Sequence, residues 1–352
     1  MQLTRRALLQ SLSVAGAACA FGAPPLTTSA DGREQDWKWL EGNWNVWHER
    51  LRERLVGSTT WDEFGGKCAS FPTLGGLGNV DDCLLYLPSG THRAIAPRAF
   101  DPATGTWSIW WLDGRMAGKL DPPVRGGFTG NEGEFQGTDV HEDIPVTVRF
   151  RWHETNSKRP HWDQAFSTDG GKNWEINWRN YFTRTGTAPI SVPLDAGETV
   201  AAEAADWTFL AGQWRARNRK RRGDGSWEEF ESTLVNRPAM GGLGNFGDNI
   251  FEAPSGTYRG VSMRAFDPVT KLWRSWWLDG RTPRDIGPPL RGRFENGVGT
   301  LTGEEIVGGR KVQVRSQWSD ITANSTRWEQ ATSSDGRTWR TNWTAELQRA
   351  GG

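Results

Sequence analysis

The chain has little of what marks the common chemistries. It has only three cysteines in 352 residues, and no Cys or His spacing resembles a zinc site, so no metal is expected. Its five histidines, His48, His92, His141, His153 and His161, all fall in the first half, which confines imidazole chemistry to that half. There is no charge of one sign to spare: 42 basic and 42 acidic side chains argue against nucleic acid or an anionic membrane as the main partner. No apolar run is long enough to span a bilayer. A serine elbow, a phosphate loop, a dinucleotide fingerprint and a His-Glu metal motif are all missing, which removes the usual short-motif support for an enzyme. A shaped cavity with one acid leaves no such motif, so catalysis stays open.

What is present is repetition. "SIWWLDGR", ending at Arg115, returns as "RSWWLDGR", ending at Arg281. "GGLGN" at Gly75 returns at Gly241, "PSGT" at Pro88 returns at Pro254, and "RAFDP" at Arg98 returns at Arg264. The chain is therefore two versions of one unit, at residues 35–186 and 206–348. An Ala- and Pro-rich linker over 187–205 joins them, and the two units are expected to pack on each other. Residues 1–30 read as an export signal: an arginine pair, Arg5 and Arg6, precedes a short apolar stretch, which resembles a twin-arginine signal and implies a periplasmic or secreted protein. An ordinary secretory signal and a lipid anchor at Cys19 are the alternatives. In such a compartment Cys68 and Cys83 are expected to form a disulfide, because repeat alignment puts Leu234 and Asn249 opposite them and both are gained or lost together. Two free buried thiols are the other reading.

Gly, Asp, Asn and Pro break short alternating runs throughout. In "VTVRFRW", Val146, Val148, Phe150 and Trp152 share one face and Thr147, Arg149 and Arg151 the other, and "VQVRSQW" from Val312 keeps the period. The fold class is all-β, two tandem antiparallel barrels or, alternatively, sandwiches. One short turn of helix is expected near 49–54. Trp107, Ile109, Trp111 and Asp113 share a strand face, with Trp110 and Leu112 on the other; both faces are apolar, so both are expected to be covered.

Two motifs carry family resemblances. Leu-x-Gly-x-Trp, at Leu40–Trp44 and Leu210–Trp214, looks like the start of calycin barrels of the lipocalin and fatty-acid-binding type. The later Asp-Pro-x-Thr and Trp-x-x-Trp-x-Leu-Asp resemble a bacterial, largely uncharacterised branch of that group. The resemblance implies closed antiparallel barrels with interior cavities. "STDGGKNW" at Ser167 resembles the Asp-box of sialidase propellers, but occurs once per unit, where a propeller needs one per blade. It is expected to form a tight turn.

Arg98 and Arg264 stand among small same-face neighbours, which leaves room for a ligand carboxylate; the structural alternative is pairing with Asp101 or Asp267. The expected ligand-binding set also includes Trp111, Trp162, Gln164 and Asn177 in the first unit and Trp277, Trp328, Gln330 and Asn342 in the second. Asp163 and Glu329 share a strand position on the face opposite the glutamines, and with His153 and His161 are the candidates for acid-base catalysis. The calycin resemblance adds haem, held by His153 or His161, as an alternative to the absence of any cofactor. The expected function is capture of a small, mostly apolar molecule in a barrel cavity. Alternatives are a cofactor-free isomerase, hydratase or lyase and a carbohydrate-binding protein with exposed Trp platforms.

Overall fold

The computed structural model describes residues 32–307 and 309–351; the proposed signal and Cys19 lie outside them. The chain forms two compact units. The first has strands β1 (Gly42–Leu51), β2 (Trp61–Thr73), β3 (Gly78–Leu87), β4 (Gly90–Asp101), β5 (Thr106–Ile109), β6 (Leu112–Asp113), β7 (Val124–Thr129), β8 (Glu132–His141), β9 (Ile144–His153), β10 (His161–Ser167) and β11 (Glu175–Gly186). The second has β12 (Gly212–Arg221), β13 (Trp227–Ala239), β14 (Gly244–Ala253), β15 (Gly256–Asp267), β16 (Leu272–Asp279), β17 (Leu290–Glu295), β18 (Val298–Val307), β19 (Arg310–Ser319), β20 (Ser325–Ser333) and β21 (Arg340–Arg349).

Each unit is a closed antiparallel barrel whose last strand pairs with its first; in the first unit β5 pairs with β4 and β7, and the short β6 pairs with β4. Closure removes the exposed sheet edges that invite aggregation. Alternation settles the interior: Val148, Phe150 and Trp152 line the first cavity, while Arg149 lies over the Trp174 ring at 4.2 Å. The short helix expected at 49–54 does not form, because Glu49–Leu51 continue β1 and pair with β2.

The repeated Leu-x-Gly-x-Trp closes one end of each barrel. Gly42 and Gly212 have φ of +119° and +113°, a left-handed region that only glycine enters cheaply. That turn lets Trp44 and Trp214 donate their indole N–H to the carbonyls of Leu40 and Leu210, each at 2.8 Å. Arg184 and Arg349 then cover those indoles at 4.0 and 4.4 Å. Just before each motif, a tryptophan plugs the barrel: Trp37 meets Phe128 at 4.9 Å and Trp152 at 5.4 Å, and Trp207 meets Phe294 at 5.1 Å and Trp318 at 5.4 Å.

The Trp-Trp-Leu-Asp string differs between the copies. β16 is continuous, with Met263 paired to Trp276. In the first barrel Pro97 occupies the matching position, and proline has no N–H to give the ladder. The wall strand accordingly breaks into β5 and β6 at Trp110 and Trp111; Trp110 N–H still reaches the Pro97 carbonyl at 3.0 Å, and the Trp111 carbonyl accepts from Asp121 instead, at 2.9 Å. Both strand faces are covered, as the sequence implies: Trp107, Trp110 and Leu112 are all buried.

The Asp-box segments are tight turns before β11 and β21. Asp169 accepts from the N–H groups of Lys172 and Asn173 at 3.0 and 2.9 Å, and Asp335 from those of Arg337 and Thr338 at 2.8 and 2.7 Å. Backbone donation from Asn173 holds the Asp169 carboxyl down at about 2.

Candidate functional site

Each barrel encloses a cavity, of about 350 Å³ in the first and about 210 Å³ in the second. Trp111, Trp162 and Gln164 line the first, and Trp277, Trp328 and Gln330 the second. Asn177 and Asn342 do not line either cavity; Asn177 is fully buried, and its side-chain Oδ1 accepts from the Gln164 amide at 2.8 Å.

Arg98 and Arg264 both face the cavities, but in different electrostatic states. Arg98 is 3% exposed and donates to Asn79 and to Asp81, each at 2.7 Å. Its acid partner is Asp81 from the neighbouring strand, not Asp101, which instead caps the turn at Ala103 and Thr104. The matching residue in the second barrel is Gly247. Arg264, 5% exposed, donates to Asn245 at 2.9 Å and lies over the Trp207 ring at 4.2 Å. Among the described residues no carboxylate pairs with it; Asp267 pairs with Arg274. Desolvation pushes the Arg264 guanidinium down to about 9, which still leaves it charged at neutral pH. Its Nε has no hydrogen-bond partner among the described residues. Glu305 shares the cavity, and burial pushes its carboxyl up to about 7.

Three histidines whose siting the sequence leaves unmarked, His48, His92 and His141, also line the first cavity. His48 stacks on Phe64 at 4.8 Å, and its Nδ1 lies 2.6 Å from Asn180 Oδ1 and 3.2 Å from Trp178 Nε1. Gly66 makes room for it, since a Cβ there would lie 2.7 Å from His48 Nε2. The second barrel has Asn218 and Ser232 at these two positions, hydrogen-bonded to each other at 2.8 Å. Desolvation pushes His48 and His92 each down to about 4. An unfolded histidine binds its proton near pH 6.5, so between pH 6.5 and 4 the unfolded chain carries protons that the folded barrel refuses. Stability therefore falls as pH drops through that window, by about 3 kcal/mol for buried His48. His48→Asn, which copies the second barrel, is expected to flatten the acid limb of a melting-temperature profile for the first barrel; an unchanged profile would refute the assignment.

The candidate acid-base residues lie elsewhere. Asp163 and His153 pair at 2.7 Å and His153 also meets Glu132 at 2.8 Å, with His161 stacked on His153 at 4.6 Å; none of the four lines the cavity. Glu329 accepts from Thr341 at 2.9 Å, also outside the cavity wall. Cys68 and Cys83 are directly opposite in the β2–β3 register, with sulfurs 2.7 Å apart as free thiols, and both line the first cavity.

No family model and no curated protein sequence matches the chain. Among solved structures, a protein of unknown function from the DUF3598 family of Nostoc punctiforme is 14% identical, with 90% of this chain and 99% of that one covered, at a TM-score of 0.28. A transferrin binding protein B mutant from Haemophilus parasuis is 10% identical over 88% of this chain and 76% of that one, at 0.18. Kievitone hydratase from Nectria haematococca is 9% identical over 90% and 92%, at 0.16. None of these likenesses carries a functional argument. Among the described residues no helix is long and apolar enough to cross a membrane.

Proposed function

We propose that this is a tandem calycin-like binding protein, exported by its signal, that holds small, mostly apolar molecules in its barrels, and that the second barrel selects a ligand with an acidic end. The observation that carries the reading is Arg264: a buried guanidinium facing a Trp-lined cavity with no carboxylate partner among the described residues. A buried charge needs a counter-charge, and a planar carboxylate matches the guanidinium fork. In the first barrel Asp81 already fills that role, so its ligand need not be an anion. The carbohydrate alternative has little support, because the tryptophans that reach clear exposure among the described residues are Trp47 and Trp227, at 43% and 36%.

The test compares octanoate with octanol, two chains of equal length, by tryptophan fluorescence titration of the full chain. A charge-assisted hydrogen bond is worth about 1.5–3 kcal/mol, so octanoate should bind roughly 10- to 100-fold tighter. Arg264→Gln should erase that preference and Arg98→Gln should not. Octanoate affinity should also weaken as pH rises through about 7, where Glu305 gains its charge. Equal affinities for the two probes, or a preference that survives Arg264→Gln, would reject the reading.

A further inference from the structure

We infer that the first barrel contains a metal-ion site formed by Cys68, Asp81 and Cys83. It is independent of the anion site in the other barrel, and it requires Cys68 and Cys83 as thiols in place of the disulfide that an oxidising compartment favours. Cys68 comes from β2, and Cys83 and Asp81 from consecutive inward positions of β3. One ligand atom from each lies within 4.8 Å of the others, and all three side chains line the cavity, which gives an ion a route in. Local spacing hides the site because the ligands meet through strand register, not through a short motif.

Asp81 supplies the second observation. Its Oδ2 accepts from Arg98, but its Oδ1 is buried with no hydrogen-bond partner among the described residues. An unsatisfied buried carboxylate oxygen is costly, and a cation beside it removes the deficit. Two sulfurs and one carboxylate form a donor set for a thiophilic ion such as zinc; the sulfurs, 2.7 Å apart as thiols, move apart to about 3.7 Å to make two zinc–sulfur bonds of about 2.3 Å. Ligation replaces the two thiol protons, giving two thiolates and one carboxylate. Those three negative charges are balanced by a divalent ion and the Arg98 guanidinium, so the buried cluster is neutral. Arg98, on the far oxygen of Asp81, orients the ligand from behind. Three protein ligands leave a fourth position facing the cavity.

The second barrel is an internal control. In the same register, Trp44 faces Cys68 and Trp214 faces Leu234. All three ligands are gone there together: Leu234, Gly247 and Asn249 stand in their places. A Cβ on Gly247 would lie 2.5 Å from Leu234 Cδ1, so leucine fills the space that Asp81 needs. The Asn249 amide is occupied by the carbonyls of Gly247 and Gly260 at 2.9 and 3.1 Å.

The full chain, reduced with a phosphine and freed of metal, should be titrated with cobalt(II) without air. The expected result is one ion per chain, a strong thiolate-to-cobalt charge-transfer band, and release of two protons per ion. Zinc should displace the cobalt. Cys68→Ser and Cys83→Ser should each abolish the band and weaken binding at least roughly 100-fold, with tryptophan fluorescence reporting that both variants fold. Leu234→Ala, in the other barrel, should leave the band untouched. No band from the reduced protein, a band that survives either serine variant, or thiols that stay joined to each other under the reductant would each overturn the proposal.

Discussion

Replacing Gly126 by alanine is expected to destabilise the first barrel by more than about 4 kcal/mol, at the extreme of single substitutions. A Cβ on Gly126 would stand 1.9 Å from the carbonyl oxygen of Glu134, and one on Gly292 would stand 1.8 Å from that of Thr300. Both obstacles are backbone, so no rotamer change relieves them. β7 would have to part from β8 at a point where the Gly126–Phe135 and Trp107–Gly126 pairings meet. A glycine inside a strand often marks such a close backbone approach. Gly127 is the control: a Cβ there meets nothing within 4 Å, and Gly127→Ala should be neutral or stabilise slightly. Chemical denaturation of the two variants checks this; similar midpoints would mean that the strands separate more cheaply than the geometry implies.

The second large effect is expected at Trp107. Its side chain is fully buried, its indole N–H donates to Asp36 at 2.8 Å, and its ring meets Phe100 at 5.4 Å. Trp107→Ala removes that packing and leaves a cavity, which costs about 3–5 kcal/mol. Trp111, four residues on, is only partly buried and lines the ligand cavity. Trp111→Ala should cost less than about 2 kcal/mol, since part of its surface already faces open space, while changing ligand affinity. Calorimetry and the octanol titration together separate the two roles; a Trp107 variant as stable as the parent would contradict them.

Much of the fold is readable in the sequence, for a physical reason. Side chains alternate across a strand, so "VTVRFRW" shows its two faces directly, while the choice of barrel over sandwich rests on the repeated Leu-x-Gly-x-Trp resemblance and is decided by the pairing of last strand with first. The short helix expected at 49–54 failed because the strand pairing of β1 with β2 overrides local charge pattern. Alternation puts Trp162 with Gln164 and Trp328 with Gln330 on one strand face, but only barrel closure turns that face to the cavity. The partner of Arg98 was not: Asp101 is close in sequence, but Asp81 reaches it from across the sheet, and only strand register reveals that. Asp163 and Glu329 drew attention as repeated carboxylates, yet a one-residue step along a strand turns a side chain to the other face. His48 had a faint signal in the confinement of histidine to the first unit. Its neighbours Gly66 and Asn180 become meaningful only once three strands are laid side by side.

The break in the first barrel's wall at Pro97 bears on kinetics. A closed ladder resists opening because several rungs must fail together, whereas the wall around Trp110 and Trp111 already lacks rungs that its counterpart β16 possesses. Fluctuations of the first barrel should therefore concentrate there, next to a tryptophan that lines the cavity, and amide protons on either side should exchange fastest of any in that wall. Residence times follow: a guest should leave the first barrel sooner than an equally tight one leaves the second, and Pro97→Met, which restores the missing donor, should lengthen its stay. Two copies of one design would then differ in how long they hold as well as in what they hold.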